Sequence, residues 1–565
     1  MPVGADKLAG CGAWGLPHQL GRQRVQARRI DVLTSPIQSP EAARRPRKVG
    51  DQPGLLGGVS AAGAEVLVIG AGPSGLFAAV ELARHGVRAR LVEREPQPHR
   101  QARATAMQPA TLEILAQAGV AEQVLASSVH LAFARVFDAA LTPVSEMAFA
   151  GAGCPWDFEC SLPQWRTEQI LADRLTELGG AVECGVAAVS MQQRDDGVLV
   201  TLERADGTSE TAEAAWVVGA GGAHSVTRET MAGALAGTTY PGVALVADVR
   251  VSCGLPRDGS ALIASPDGYV LLAPLPDERW LTFVGDLDEG EHQRLENDTS
   301  IDAVAAAIKR RVADAISVSE VAWAAPFRMH HRLVPRLAGQ RWFLLGDAGH
   351  LSSPFGGEGL NSGIHDSHNL GWKLALQLRG RARPALLESF ASERLAADRH
   401  VLEVSDRLHQ LAHRVVESAR TGVFPAPPTP AQTAAMVRSR SMLDVSYAGT
   451  PLVGEYLEAG ARPGPAPVPG DRYPDRISLH GTRHHLLIFG ATGGSAGEAI
   501  ARLRRRWHGL VEIIQADGDP RRGGLAGPGA ILVRPDGRIG FRVSPASPAG
   551  LAALDSHLNT YLIPG

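Results

Sequence analysis

The chain has 565 residues, 44% apolar and 20% charged, which is enough for more than one hydrophobic core. Its 56 basic and 59 acidic side chains leave a net charge of -3, a balance that provides no field for gathering nucleic acid or an anionic membrane. The five cysteines, Cys11, Cys154, Cys160, Cys184 and Cys253, form no C-x-x-C pair, and no apolar run reaches bilayer length. Disulfide, zinc and membrane-spanning roles are set aside, and a cytoplasmic location is expected.

Residues 1–62 carry Arg22, Arg24, Arg28, Arg29, Arg44, Arg45, Arg47 and Lys48 among Gly, Pro and Gln, with no apolar period, and read as a disordered leader. Their Arg-rich, acid-poor composition also suits a transit peptide or a mis-assigned start. From Ala64 the sequence predicts a buried strand at Val66–Ile69, a helix with Leu76, Ala79, Val80 and Ala83 on one face, a glycine stop at Gly86, and a second strand at Ala89–Val92. Helical spacing returns at Thr111–Ala118 and Gln169–Leu178, with strands at Val198–Glu203 and Ala215–Gly219. Residues 242–340 are strand-rich and include a hairpin turning at Pro276 and Asp277. A buried strand at Trp342–Leu345 precedes a glycine-rich turn and a helix from Leu360 to Arg379. Beyond Ala391 the chain reads as helical as far as the Pro/Gly linker at 461–470. An α/β pattern follows, with strands at His485–Phe489, Val511–Gln515 and Ala530–Val533.

Two motifs carry chemistry. Gly70-x-Gly72-Pro73-Ser74-Gly75 follows a strand and opens a helix, and Glu93 with Arg94 ends the next strand, as a dinucleotide fingerprint requires. Gly70 permits the tight turn, Gly72 lets backbone N–H groups approach a pyrophosphate, Gly75 lets helix and strand pack, and Glu93 can accept from ribose hydroxyls. Further on, Gly346-Asp347 precedes Pro354-Phe355-Gly356-Gly357-Glu358-Gly359-Leu360-Asn361. Asp347 is an acceptor at a strand's end. The run after Pro354 is a concave row of N–H groups capped by a helix N-terminus, suited to a group that carries negative charge.

This second motif, with Arg103, Gln164, Glu168 and the stretch 323–332, resembles the signature of the flavoprotein aromatic hydroxylases, the para-hydroxybenzoate hydroxylase family, in its aromatic polyketide branch. The resemblance implies an α/β fold: a Rossmann-like FAD-binding domain of the GR2 type interleaved with a β-sheet substrate domain, and a thioredoxin-like tail. The implied segments are 63–240 and 341–405 for FAD, 241–340 for the substrate sheet, 406–465 for a helical connection and 466–565 for the tail. It also implies FAD held by Gly70, Gly72, Pro73, Ser74, Gly75, Glu93, Arg94, Arg103, Gln164, Asp347, Pro354, Gly357, Gly359, Leu360 and Asn361. NAD(P)H, with NADPH favoured, would reduce it. Molecular oxygen would then give a flavin C4a-hydroperoxide that hydroxylates a small phenolic or polycyclic aromatic.

Gly221 and His224 stand where the family carries Asp and Arg, which bears on reduction by NADPH, while Arg228 matches a family Arg as a cofactor contact. The substrate pocket is expected between Leu271–Leu275 and Pro354–Gly357. His224, His330, His331 and His350 are bases by type, and each has a structural reading as a hydrogen-bonding residue. A Baeyer–Villiger oxygenation and a flavin-binding subunit without oxygenase activity remain open, whereas the W-x-W-x-I-P motif of halogenases is absent. With no cysteine, the tail cannot run thiol redox chemistry, so packing or a homodimer is expected of it.

Overall fold

The computed structural model describes residues 63–98, 104–424, 426, 428–460, 464, 466–479, 481–490 and 493–565. The expected leader at 1–62, with Cys11, and the expected cofactor residue Arg103 lie outside these.

Strand Gly63–Ile69 is flanked on both edges by parallel partners, Ala89–Glu93 and Ser209–Gly219. That central position explains why Val66, Leu67 and Val68 are all fully buried. Helix Pro73–Arg84 begins with proline in its first turn, where an N–H has no intrahelical partner to lose. It stops at Gly86, whose φ of 73° fits the left-handed position after a helix. These elements belong to a seven-stranded sheet that Val182–Cys184 and the antiparallel strands Val186–Gln193 and Val198–Arg204 extend. Trp342–Leu344 adds to it in parallel, delivering the second motif to the same sheet end as the first.

A second seven-stranded sheet runs in the order Ser317–Phe327, Val243–Ser252, Trp280–Leu287, Gly268–Pro274, Gly259–Ser265, Phe133–Asp138, Pro143–Ala148. Its hairpin turns through Pro276, Asp277 and Glu278, and the last two have φ of 59°. Two of its strands come from residues 133–148, upstream of the segment that the sequence pattern marks as strand-rich. They join because Gly259–Ser265 pairs in parallel with Phe133–Asp138, a long-range register that no local pattern announces.

The helix expected beyond Ala391 begins earlier, at Pro384, and continues unbroken to Thr421, across the position 405 where the FAD segment was expected to end. The last five strands form a sheet in the order Gly454–Leu457, Ile539–Ser544, Gly529–Val533, His484–Phe489, Val511–Ala516, with helices Gly494–Arg506 and Pro548–Tyr561. The parallel β-α-β start followed by an antiparallel hairpin and a closing helix is thioredoxin-like.

Helix Glu358–Leu378, 17 of whose 21 residues are buried, shares its apolar side chains between the core of the first sheet and that of the C-terminal sheet. A buried helix that carries polar side chains needs partners for them. Asp366 accepts from the Gly346 N–H at 2.9 Å, from His350 Nε2 at 2.9 Å and from Arg394 Nε at 2.6 Å. Arg394 also reaches Asp398 at 2.7 Å, so its guanidinium bridges the acidic pair beside His350. Two turns further on, Lys373 Nζ lies 2.7 Å from Glu393, which takes a bidentate pair of bonds from Arg534 of the C-terminal unit at 2.6 and 2.8 Å.

Arg534→Met leaves Glu393 and Asp536 buried without their main counter-charge. A loss of about 3–5 kcal/mol is expected, read as a fall in the urea midpoint. His350 gives a pH signature. Burial disfavours its charge, but Asp398 and Asp366 outweigh that and push its pKa up to about 9. Its contribution is complete below the unfolded value of about 6.5 and is lost as pH rises through about 9. A His350→Asn variant should show less of this alkaline fall in urea midpoint than the parent chain.

Candidate active site

Both motifs open into one cavity of 1280 Å³. On one side lies the glycine turn. Gly70 has a φ of 100°, and a Cβ there would sit 2.5 Å from the Ala220 carbonyl oxygen. A Cβ at Gly75 would sit 1.9 Å from the Gly70 oxygen, so only glycine lets helix and turn meet. A Cβ at Gly72 would meet nothing within 4 Å, and this glycine faces the cavity with Pro73 and Ser74 at the helix N-terminus. Gly75 does not line the cavity: it shapes the turn from behind. The Ser74 hydroxyl packs against the backbones of Gly346 and Gly363 and so couples the two motifs.

Glu93 Oε2 accepts from the Ala71 N–H at 2.7 Å and Oε1 from the Glu95 N–H at 3.0 Å. Its carboxylate thus fixes the glycine turn and still borders the cavity, alongside Arg94. Gln164 opens helix Gln164–Glu177 and donates to Glu168 Oε1 at 2.8 Å, with both residues on the cavity wall.

Opposite the glycine turn, Asp347 sits on the short turn Gly346–Ala348 with its side chain open to the cavity. The surrounding protein desolvates it and pushes its pKa up, which the nearby His350 only partly offsets. The loop that follows is braced from outside. Gln108 Nε2 donates to the Gly356 oxygen at 2.5 Å, and the Gly357 N–H donates to the Pro354 oxygen at 3.0 Å. Pro354, Gly357, Gly359 and Leu360 all line the cavity. Asn361 does not: its amide accepts from the Gln108 N–H at 2.9 Å and donates to Ala106 and Gly357 oxygens at 2.8 and 2.6 Å. Its place in the motif is therefore explained by holding the loop.

Glu358, at the start of the helix, is a residue whose environment the sequence does not disclose. It is buried on the cavity wall, and neither carboxyl oxygen has a hydrogen-bond partner among the described residues. Burial pushes its pKa well above the usual carboxylate range despite Arg440 nearby. The signal available in sequence was the single acidic residue within a run of glycines.

The second sheet supplies an apolar wall of Leu271, Ala273, Leu281, Phe283 and Phe327, which Met329, just past the strand's end, extends. Leu271 and Ala273 face the cavity while Leu272 faces the sheet's own core, the alternation of a strand. Of the four histidines, His224 and His330 line the cavity and His331 and His350 do not. His350 is buried away from the cavity with its Nε2 2.9 Å from Asp366, so it is placed as a structural partner of the aspartates. Arg228 donates to the Ala223 oxygen at 2.7 Å and borders a side pocket of 720 Å³ with His224, His330 and Arg332. Gly221 lines the main cavity, and a Cβ there would meet only ordinary contacts from 3.5 Å.

The site suits FAD. The glycine turn gives a cradle that side chains would fill, Glu93 and Asp347 offer acceptors, and two helix N-termini face the same space. Comparison with known proteins agrees. Residues 63–405 match the family model described as FAD binding domain. The 6-methylpretetramide 4-monooxygenase of Streptomyces rimosus is 37% identical over 344 residues, 59% of this chain and 59% of that one. The 12-dehydrotetracycline 5-monooxygenase/anhydrotetracycline 6-monooxygenase of Streptomyces rimosus subsp. rimosus is 29% identical across 88% of this chain and 99% of its own. A crystal structure of aklavinone-11 hydroxylase with FAD and aklavinone superposes with a TM-score of 0.71 at 25% identity, covering 89% and 99% of the two chains. The chain belongs to the FAD binding domain family and is an enzyme of its flavin-dependent aromatic monooxygenase group.

Proposed function

We propose that the chain uses FAD, NAD(P)H and molecular oxygen to place a hydroxyl on a phenolic or polycyclic, polyketide-type aromatic. The observation that carries this is the junction of the flavin loop with the apolar wall of the second sheet in one cavity. Bound FAD would supply the activated oxygen that an electron-rich ring takes up. The protein's residues do the rest. Gly72, Pro73 and Ser74 would offer the helix N-terminus to the cofactor's phosphates, and Asp347 would accept from its hydroxylated chain. The Gly357–Leu360 backbone, at the second helix N-terminus, would favour negative charge on the bound group. Leu271, Phe283, Phe327 and Met329 exclude water and stack or pack on a flat substrate.

The relatives' names include both polyketide and small-phenol monooxygenases, and the cavity volume of 1280 Å³, with room for both cofactor and a multi-ring substrate, supports the polyketide side. The purified chain should be yellow, and it should oxidise NADPH faster when offered polycyclic phenols, with a product heavier by one oxygen. Bound flavin with no aromatic-stimulated NADPH oxidation would refute the oxygenase reading. Asp347→Ala should lower the flavin-to-protein ratio after gel filtration; an unchanged ratio would remove Asp347 from the cofactor contacts.

A further inference from the structure

We propose that Glu358 is a specificity-determining residue, which offers a carboxylic acid O–H to the substrate and selects aromatics that carry a quinone or aryl ketone oxygen. The proposal rests on the aromatic monooxygenase reading and narrows its substrate class. Glu358 is 1% exposed, lines the cavity and has neither carboxyl oxygen bonded among the described residues. A glutamate in the first turn of a helix ordinarily turns its carboxylate to water or to the free N–H groups there. This one does neither. Its carboxyl folds back over the loop: a Cβ at Gly356 would sit 3.1 Å from both Cδ and Oε1 of Glu358, so glycine at that position, with a φ of 92°, leaves the room that the carboxyl occupies.

The charged neighbours keep that carboxyl unpaired. Arg440, at the end of helix Pro430–Arg440, is the cation beside it, but its guanidinium is committed to Glu159 of strand Glu159–Ser161. Arg440 Nε donates to Oε1 of Glu159 at 2.6 Å and Nη2 to Oε2 at 3.0 Å, a bidentate pair with no net charge, and both residues line the same cavity. Asp444, just past that helix, is itself 3.1 Å from His400 Nε2. Burial is the largest influence on Glu358 and raises its pKa; Arg440 and Arg407 oppose this, while Asp444 and Glu159 add to it. The acid form therefore persists well above the usual carboxylate range. These neighbours come from outside both glycine motifs, which assigns the carboxyl to the substrate rather than to the cofactor.

A protonated carboxyl is an O–H donor that an ionised one cannot be. The oxygen of a quinone or aryl ketone is a good acceptor for it. A phenolic oxygen, whose lone pair is drawn into the ring, is a poor one. Once a flat ligand has displaced water from the cavity, a substrate without a carbonyl leaves the acid proton unpaired, and an unpaired buried polar group discriminates more strongly than a missing apolar contact does. A carboxylate-bearing aromatic gains nothing at this point of the wall, because Glu159 already matches the charge of Arg440. The class selected is thus a neutral, carbonyl-bearing polycyclic.

The test titrates the FAD-loaded, oxidised chain, without nicotinamide so that nothing turns over, with 1-hydroxyanthraquinone and with 1-hydroxyanthracene, which shares the rings and the hydroxyl but lacks the carbonyls. All proteins are compared at equal flavin-to-protein ratios. Glu358→Met should lower the affinity for the quinone relative to the anthracene by about tenfold. Glu358→Gln, whose amide N–H still donates, should keep the parent's ratio within about threefold. Raising the pH from about 6 to about 9 should erode the ratio in the parent, because the acid gives up the proton it donates and its carboxylate repels the carbonyl oxygen; in Glu358→Gln the ratio should stay flat. A purely structural Glu358 would move neither the ratio nor its pH profile. An unchanged ratio in Glu358→Met, or one pH profile shared by the parent and Glu358→Gln, would overturn the proposal. Loss of flavin from Glu358→Met with the ratio kept would also overturn it, by giving the residue to the cofactor. If Glu358→Met does not fold, the pH profiles of the parent and Glu358→Gln decide. A parent chain that binds neither probe would refute the aromatic reading and the proposal together, whereas binding of both with a ratio indifferent to Glu358 would refute the proposal alone.

Discussion

The burial of helix Glu358–Leu378 is the constraint on which the rest of the structure depends. A helix taken out of water along most of its length cannot leave Asp366, His368, Asn369 and Lys373 unpaired. Each partner comes from a different part of the chain. His350 and the Gly346 N–H belong to the turn that carries Asp347, Glu81 to the helix after the glycine turn, and Glu393 and Arg394 to the long helix; Arg534 comes from the C-terminal unit. The same pairings that satisfy the helix fix its N-terminus relative to both cofactor motifs. Stability and cofactor placement are therefore one problem here.

This gives the thioredoxin-like unit a purpose that does not need thiols. Arg476 and Arg472 reach Glu113 at 2.9 and 3.1 Å, and Arg476 also donates to the Ala110 carbonyl at 2.7 Å. Glu113 lies on helix Pro109–Ala118, and Gln108, at the N-cap of that helix, holds the Gly356 carbonyl and the Asn361 amide. A guanidinium pair in the tail is thus two short steps from the flavin loop. The tail acts as a clamp on the wall of the site.

What the sequence made legible was local. The glycine spacing reports a backbone that must turn and approach closely, and the structure shows that requirement in the blocked Cβ positions at Gly70 and Gly75. Strand, helix and hairpin positions followed from period and turn residues. Features set by distant pairing were not legible. Residues 133–148 join the second sheet through a parallel register with residues 259–264, and the long helix crosses position 405 to stop at Thr421, before Gly422 in the left-handed position. Asn361 shows the limit within a motif. Its position was visible, but the direction of its amide, toward Gln108, Ala106 and Gly357, depends on a segment some 250 residues away. Ser353 and His409 are likewise 56 residues apart and meet only because the long helix packs beneath the flavin loop.

The electrostatics of the site follow from the same burial. Two helix N-termini face the cavity and favour negative charge on whatever lies between them. Two carboxyls, Glu358 and Asp347, share that space, and as fully ionised groups they would cancel much of the effect. Burial pushes the Glu358 pKa well beyond the usual range, and desolvation by the surrounding protein moves Asp347, which stays open to the cavity, in the same direction, so the neutral forms gain weight. The neutral acid at Glu358 is also a hydrogen-bond donor, and the orphaned state of its oxygens leaves that capacity free for a ligand. The dry packing that the buried helix imposes is thus what lets a carboxyl stand on the wall of a cavity that two helix N-termini face.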